Sequence, residues 1–138
     1  MTEEQLSETR KWLIKSRHDL GSARRLMEGE ETYLDTAVYH CQQAVEKALK
    51  AFLTYRGAVF EWTHDLTELV ALCIPLEASF GPWCEAAEEL TPYAVRFRYP
   101  SDLLEPDPRE AKQALECAEA LTKFIVNLLP PEARADEA

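Results

Sequence analysis

Residues 39–53, YHCQQAVEKALKAFL, decide how the chain folds. At roughly 100° per residue, Val38, Cys41, Val45, Ala48, Leu49, Phe52 and Tyr55 gather into one apolar stripe, the pattern of a helix packed along one side. His40, Gln43, Lys47 and Lys50 fall opposite or beside the stripe at spacings of three or four residues, so they are neighbours on one polar face. Between stripe and face runs a seam of Ala37, Ala44 and Ala51, small enough to admit another backbone closely. A face carrying His, Gln and two Lys is a candidate binding surface. A solvated helix face with routine charges satisfies the same periodicity.

The flanking sequence divides into further helices. Thr2 with Gln5 makes a capping box for a first helix reaching about Glu28, with Leu6, Leu13, Leu20 and Met27 on its apolar stripe. After a turn at residues 29–31, the second helix runs from about Leu34 to Arg56 and stops at Gly57, a residue that tolerates positive φ. Phe60 and Trp62 in the next connection are expected to fold back over the core. Asp65 and Glu68 cap a shorter third helix that Pro75 ends. A fourth runs from Pro82 to about Arg98, kinked or restarted at Pro92 with Thr91 as the new cap. Asp107, Pro108 and Glu110 begin the last helix, which carries Ala111, Ala114, Ala118, Leu121 and Ile125 to about Leu129. Pro130 and Pro131 stop it, and the tail PEARADEA is expected to fray. No segment alternates like a strand. The expected fold is all-α: an antiparallel up-and-down helical bundle of four to five helices over residues 1–130, with a flexible tail at 131–138.

Composition narrows the function classes. A chain of 138 residues with 46% hydrophobic and 29% charged residues reads as one soluble globular domain. Its net charge of −10, from 25 acids against 15 bases, opposes non-specific nucleic-acid binding while leaving room for a local cationic patch. No apolar run approaches the ~20 residues of a membrane span, and no basic-then-apolar leader opens the chain, so a cytoplasmic protein is expected. Cys41, Cys73, Cys84 and Cys117 lack C-x-x-C and zinc-finger spacing and read as reduced core residues. No Gly-rich phosphate loop, nucleophile elbow or paired-acid motif appears, so no catalytic residue, metal or cofactor is assigned.

YHCQQAVEKALKAFLTYRG (39–57), THDL (63–66) and YAVRFRYP (93–100), preceded by RHDLGSARRLM (17–27), resemble the HEPN family in order and spacing. The resemblance implies a small all-helical domain found alone or beside nucleotidyltransferase domains. It further implies a separate nucleotidyltransferase partner that supplies metal and transfer chemistry, and a habit of pairing. Many HEPN proteins are ribonucleases that use an Arg followed four to six residues later by His, assembled across a dimer. Histidine would move the proton and arginine would stabilise charge on the phosphate. Arg98 matches the Arg of the RYP element, but Tyr99 to Glu105 contain no histidine. Arg56 and His64 are too far apart and lie in another connection. Ribonuclease activity by the family mechanism is therefore not expected.

The candidate ligand-binding set is His40, Gln43, Lys47, Arg96, Arg98 and Tyr99: cations for phosphate, Gln and Tyr for orientation or stacking. Arg96 and Arg98 have a structural role open to them as well, because cations at a helix C-terminus are favoured by the dipole. His64 is expected to bond the backbone or Asp65, and His18 reads as an interior histidine. The leading function is a nucleotide- or substrate-binding helical subunit working with a nucleotidyltransferase. The alternatives are a toxin-like ribonuclease of a toxin–antitoxin pair without the usual Arg…His pair, or a structural oligomerisation subunit. A homodimer or higher homo-oligomer is expected from the alanine seam and the family habit.

Overall fold

In the computed structural model, residues 2–100 and 105–135 are described. Helix α1 (Glu3–Leu26) begins on the expected capping box: Thr2 Oγ1 accepts from the Gln5 amide at 3.0 Å, and Gln5 Oε1 accepts from the Thr2 amide at 3.1 Å. Helix α2 (Leu34–Tyr55) stops at Gly57, whose φ of 70° is one that side chains disfavour. There the Gly57 and Ala58 amides return to the Thr54 and Leu53 carbonyls. A short α3 (Leu66–Cys73), α4 (Cys84–Leu90) and a long α5 (Pro108–Leu128) complete the α-helices among the described residues. Asp65 and Asp107 cap α3 and α5 through the amides of Thr67 and Arg109. The fold is all-α, as the periodicity requires.

Helix α2 is the axis of the packing, with α1, α3, α5 and the turn after α4 all resting on it. Fifteen of its 22 residues are buried. An aromatic run extends its core: Phe52 meets Phe80 at 4.9 Å between ring centroids, Phe80 meets Phe124 of α5 at 5.1 Å, and Trp83 meets Phe124 at 5.2 Å.

That enclosure overturns the open polar face expected on α2. Gln43 is 8% exposed and Lys50 only 1%. Ala37, Ala44 and Ala51 are wholly buried within the single chain, and the Ser16 hydroxyl of α1 donates to the Ala44 carbonyl at 2.7 Å. The backbone that the alanine seam admits is α1, so the seam is no ground for a dimer.

Lys50 is accommodated by Glu46 one turn earlier, which takes its ammonium at 2.9 Å. The Trp12 and Trp62 rings flank the same ammonium at 5.6 and 4.7 Å. Trp62 is 79% exposed and folds back over this buried charge, while Phe60 packs against the core. His64 Nδ1 meets the other Glu46 oxygen at 2.8 Å, and Gln42 Nε2 donates to the His64 carbonyl at 2.9 Å. His64 is therefore tied to α2, not to Asp65, and it fastens the 57–65 connection over the buried pair.

Further expectations are corrected at the helix ends. The fourth helix is in pieces, with 3-10 turns at Ala78–Trp83 and Thr91–Ala94 on either side of α4. Thr91 caps α3 instead of a restart: its hydroxyl accepts from the Leu66 amide at 3.1 Å and donates to the Ala87 carbonyl at 2.7 Å. Glu68 and Glu110 bond Thr63 and Tyr93 and close no capping box. His18 and Cys84 are exposed, and Cys117 is half-buried. Burial pushes the thiols of Cys41 and Cys73 up to about 12, which keeps them protonated and unreactive. Of the 131–138 tail, residues 136–138 lie outside the described residues, and residues 131–135 are ordered against the bundle. Pro131–Ala133 forms a 3-10 turn with Ala133 buried, and Arg10 donates to the Glu132 carbonyl at 2.7 Å.

Removing one partner of a buried ion pair strands the other. Lys50→Ala is expected to cost about 3–5 kcal/mol in urea unfolding, while removing both charges with Glu46→Leu and Lys50→Met costs much less. Equal losses in the two variants would show that the pair is not electrostatically isolated from water.

Candidate functional site

The polar residues of α2 separate into two clusters on opposite sides of Gln43. One is the Glu46–Lys50–His64 network, in which Glu46 and Lys50 are buried and His64 covers them from the exposed side. Gln43 belongs to it, donating from Nε2 to Gln42 Oε1 at 2.8 Å and more weakly to Glu46 Oε1 at 3.4 Å. Its amide is thus committed inside the protein and does not join the ligand set.

The second cluster is half-open and centres on Asp19 of α1. Asp19 Oδ1 lies 2.7 Å from His40 Nδ1, and Asp19 Oδ2 accepts from Lys47 Nζ at 2.7 Å. Burial of the Asp19 carboxyl raises its pKa, but the hydrogen bonds and charges of His40 and Lys47 outweigh burial and hold it below its ordinary value of 3.8. An ionised Asp19 bonded to Nδ1 selects, in the neutral imidazole, the tautomer with its proton on Nδ1. Nε2 is then the nitrogen left to accept or release a proton. His40 and Lys47 keep about a quarter of their side-chain surface exposed, against a tenth for Asp19. The carboxylate is therefore the buried brace and the two bases form the solvent-facing edge.

Arg98 reaches this cluster through a residue outside the expected set. Its guanidinium lies over the Tyr39 ring, 4.4 Å from the centroid, and Tyr39 stands edge-on to the His40 imidazole at 5.4 Å. Arg98 Nη1 also donates to the Ala94 carbonyl at 3.1 Å. The segment is held by Phe97, which is buried at a φ of 69° that non-glycine residues seldom adopt. Its ring stacks on Tyr93 at 6.2 Å, and burying a phenylalanine side chain is worth about 1.5–3 kcal/mol, enough to offset the backbone strain. Phe97 turns inward while Arg96 and Arg98 on either side remain exposed.

The set expected from sequence is thus partly assembled. His40 and Lys47 meet at Asp19, and Arg98 joins through Tyr39. Arg96 lies instead over Phe97 and faces Glu110 at 4.0 Å, where Glu110 already accepts from the Tyr93 hydroxyl at 2.6 Å. The pairing, on top of burial, pushes the Tyr93 hydroxyl's pKa up, so Tyr93 stays a donor. Tyr99 is exposed and makes no ring contact or hydrogen bond among the described residues. Asp19 and Tyr39 are the missed members. The signal for Asp19 was available: it occupies the inward stripe of α1 with Ser16, Leu20 and Ala23, where an acid needs a basic partner. Among the described residues, no three His, Cys, Asp or Glu side chains are grouped to hold a metal ion.

The fold and this constellation place the chain among small helical-bundle proteins. A HEPN domain model matches residues 9–129, and the chain belongs to the HEPN family. It is similar to TT1696 from Thermus thermophilus, with 32% identity and a TM-score of 0.74 over 88% of this chain and 98% of that one. ST0689, an archaeal HEPN homologue, shares the fold at 23% identity and a TM-score of 0.64, over 86% of this chain and 94% of that one. No curated protein matches the sequence. Among the described residues, no helix is long and apolar enough to cross a membrane.

The lowered Asp19 pKa fixes the sign of a pH effect. A carboxyl more acidic in the folded state stabilises it above the ordinary value of 3.8, and that contribution fades as pH falls through the lower folded value. Asp19→Asn is expected to lose on the order of 1.5–3 kcal/mol at pH 7. The gap from wild type should close in acid below 3.8, as followed by urea unfolding across pH. A gap constant with pH would contradict the assignment.

Proposed function

We propose that this HEPN chain is the substrate- or nucleotide-binding subunit of a pair whose other member is a nucleotidyltransferase. The reading is carried by one observation: Lys47 and His40 meet at the buried Asp19 carboxylate, and Arg98 from a distant part of the chain joins them through the Tyr39 ring. Lys47 and Arg98 together outweigh Asp19, so the exposed edge favours an anion within a protein of net charge −10. Arg98 offers a planar fork for phosphate, Lys47 a point charge, and Tyr39 aromatic surface for a base. The nucleotidyltransferase partner and homodimerisation are parts of the proposal that rest on family membership, and a cytoplasmic location is proposed with them.

The contacts separate this reading from a ligand-free structural subunit. Calorimetric titration with ATP, ADP, AMP and GTP, with the partner present, is expected to detect binding. Lys47→Ala and Arg98→Ala should each weaken it about tenfold or more, the equivalent of one charge-assisted contact of ~1.5–3 kcal/mol. Undiminished affinity in both variants would remove the site assignment, and no binding at all would remove the binding-subunit reading.

A toxin-like ribonuclease is the second reading, favoured by the Asp19-braced imidazole beside Arg98. His40 lies upstream of Arg98, outside the family's Arg…His spacing, yet the fold links the two through Tyr39. Such a pair has the components for proton transfer and charge stabilisation at a phosphate. The ring of Tyr39 between them favours binding over in-line chemistry. The purified chain is therefore expected to leave single-stranded and structured RNA intact in the presence of a chelator. Cleavage abolished by both His40→Ala and Arg98→Ala would establish the ribonuclease reading in its place.

A further inference from the structure

Helices α1 and α5 both pack on α2 and leave a cleft of about 500 Å³ between themselves, within the range of small-molecule sites. Its lining includes Leu13 and Leu20 of α1 and Val126 of α5. Arg17, Arg24 and Lys123 also line it, with Glu119 the only carboxylate among the lining residues. Glu119 is not free to repel an anion: Arg24 binds its Oε2 from Nη2 at 2.7 Å and from Nε at 2.9 Å. Lys123 is exposed and makes no ion pair or hydrogen bond among the described residues. Three cations against one carboxylate make the lining net positive on a chain carrying ten excess negative charges, and Lys123 is the cation outside the Arg24–Glu119 pair with no partner among the described residues.

The hydroxyls in the cleft are also committed. Ser16 donates to the Ala44 carbonyl at 2.7 Å, and Thr122 donates to the Glu119 carbonyl at 3.1 Å. Each retains acceptor capacity but no donor, so neither can bind an anion's oxygen. Donors for an anionic head therefore lie with the cationic side chains and the Asn127 amide, while the leucines and valine accept an apolar body. This site does not overlap the Asp19–His40–Lys47 cluster and does not depend on the reading given to it.

We propose that the α1–α5 cleft binds a small amphipathic anion, an alkyl or acyl chain ending in a phosphate or carboxylate. The chain would lie against Leu13, Leu20 and Val126, with the head group beside Lys123 and the Arg24–Glu119 pair. Burying the chain supplies affinity, and the cations distinguish the anion from a neutral analogue of the same length.

Calorimetric titration of the full chain with octyl phosphate, 1-octanol and inorganic phosphate tests this directly. Octyl phosphate is expected to bind with one site per chain, octanol at least tenfold more weakly, and inorganic phosphate not measurably. Lys123→Glu should weaken octyl phosphate about tenfold, as loss of a charge-assisted contact implies. Val126→Trp, which fills the cleft from a half-buried position, should abolish binding. Circular dichroism melting confirms that each variant is folded. Octanol binding as tightly as octyl phosphate, or Lys123→Glu matching wild type, would overturn the anion assignment. Unchanged binding in a folded Val126→Trp variant would overturn the location, and no octyl phosphate binding to wild type would overturn the proposal.

Discussion

Everything in this structure depends on how α2 is enclosed. A helix covered by α1, α3, α5 and the turn after α4 cannot leave its hydrogen-bonding groups to water, and burying them unpaired would cost more than the domain can sustain. Each polar residue of α2 that is buried therefore has a partner within the chain. No buried side-chain nitrogen or oxygen among the described residues lacks one. The partners come from elements distant in sequence: Asp19 on α1, and His64 with Trp62 on the connection after α2. Satisfying α2 is what ties those elements in place.

The two clusters that result differ in how they meet water. Around Lys50 and Glu46 both charges are enclosed and their remaining capacity is taken by Gln42, Gln43, His64 and the tryptophan rings. Such a network fixes geometry and has little left for a ligand. Around Asp19 only the acid is enclosed, so His40 and Lys47 are held in position while keeping an accessible edge. A buried brace fixes the exposed bases in place, an arrangement that would lower the entropic cost of recognition for the proposed ligand. Phe97 serves the same end from the other side, its ring buried and its backbone strained where Arg98 is set against Tyr39.

Most of the helices were legible in the sequence because their signals are local. The Thr2–Gln5 box, Gly57, Asp65, Asp107 and the apolar stripes act within a few residues of themselves. What was not legible came from tertiary pairing. A 3.6-residue period marks His40, Gln43, Lys47 and Lys50 as one polar face, but it cannot say whether water or another helix covers that face. Polar type suggested water, and α1 with the 57–65 connection covers it instead. Thr91 was misread for a related reason: as a threonine before proline it looks like a local cap, while its hydroxyl serves α3 from a distance. Of the candidate site, His40, Lys47 and Arg98 were legible by residue type. Asp19 was legible as an acid on the inward stripe of α1, though its partners were not, and the role of Tyr39 exists only once the segment after α4 has packed on α2.

The central claim is that α2's polar side chains are positioned by partners within the chain, with His40 held by Asp19 so that Nε2 is its free nitrogen. Long-range proton–nitrogen correlation spectra of the imidazoles test it most directly, because they distinguish the two tautomers of neutral histidine. The account predicts that His40 carries its proton on Nδ1 in wild type and relaxes towards the mixed tautomers of a free imidazole in Asp19→Ala. A wild-type His40 protonated on Nε2, or one indistinguishable from the Asp19→Ala variant, would contradict it.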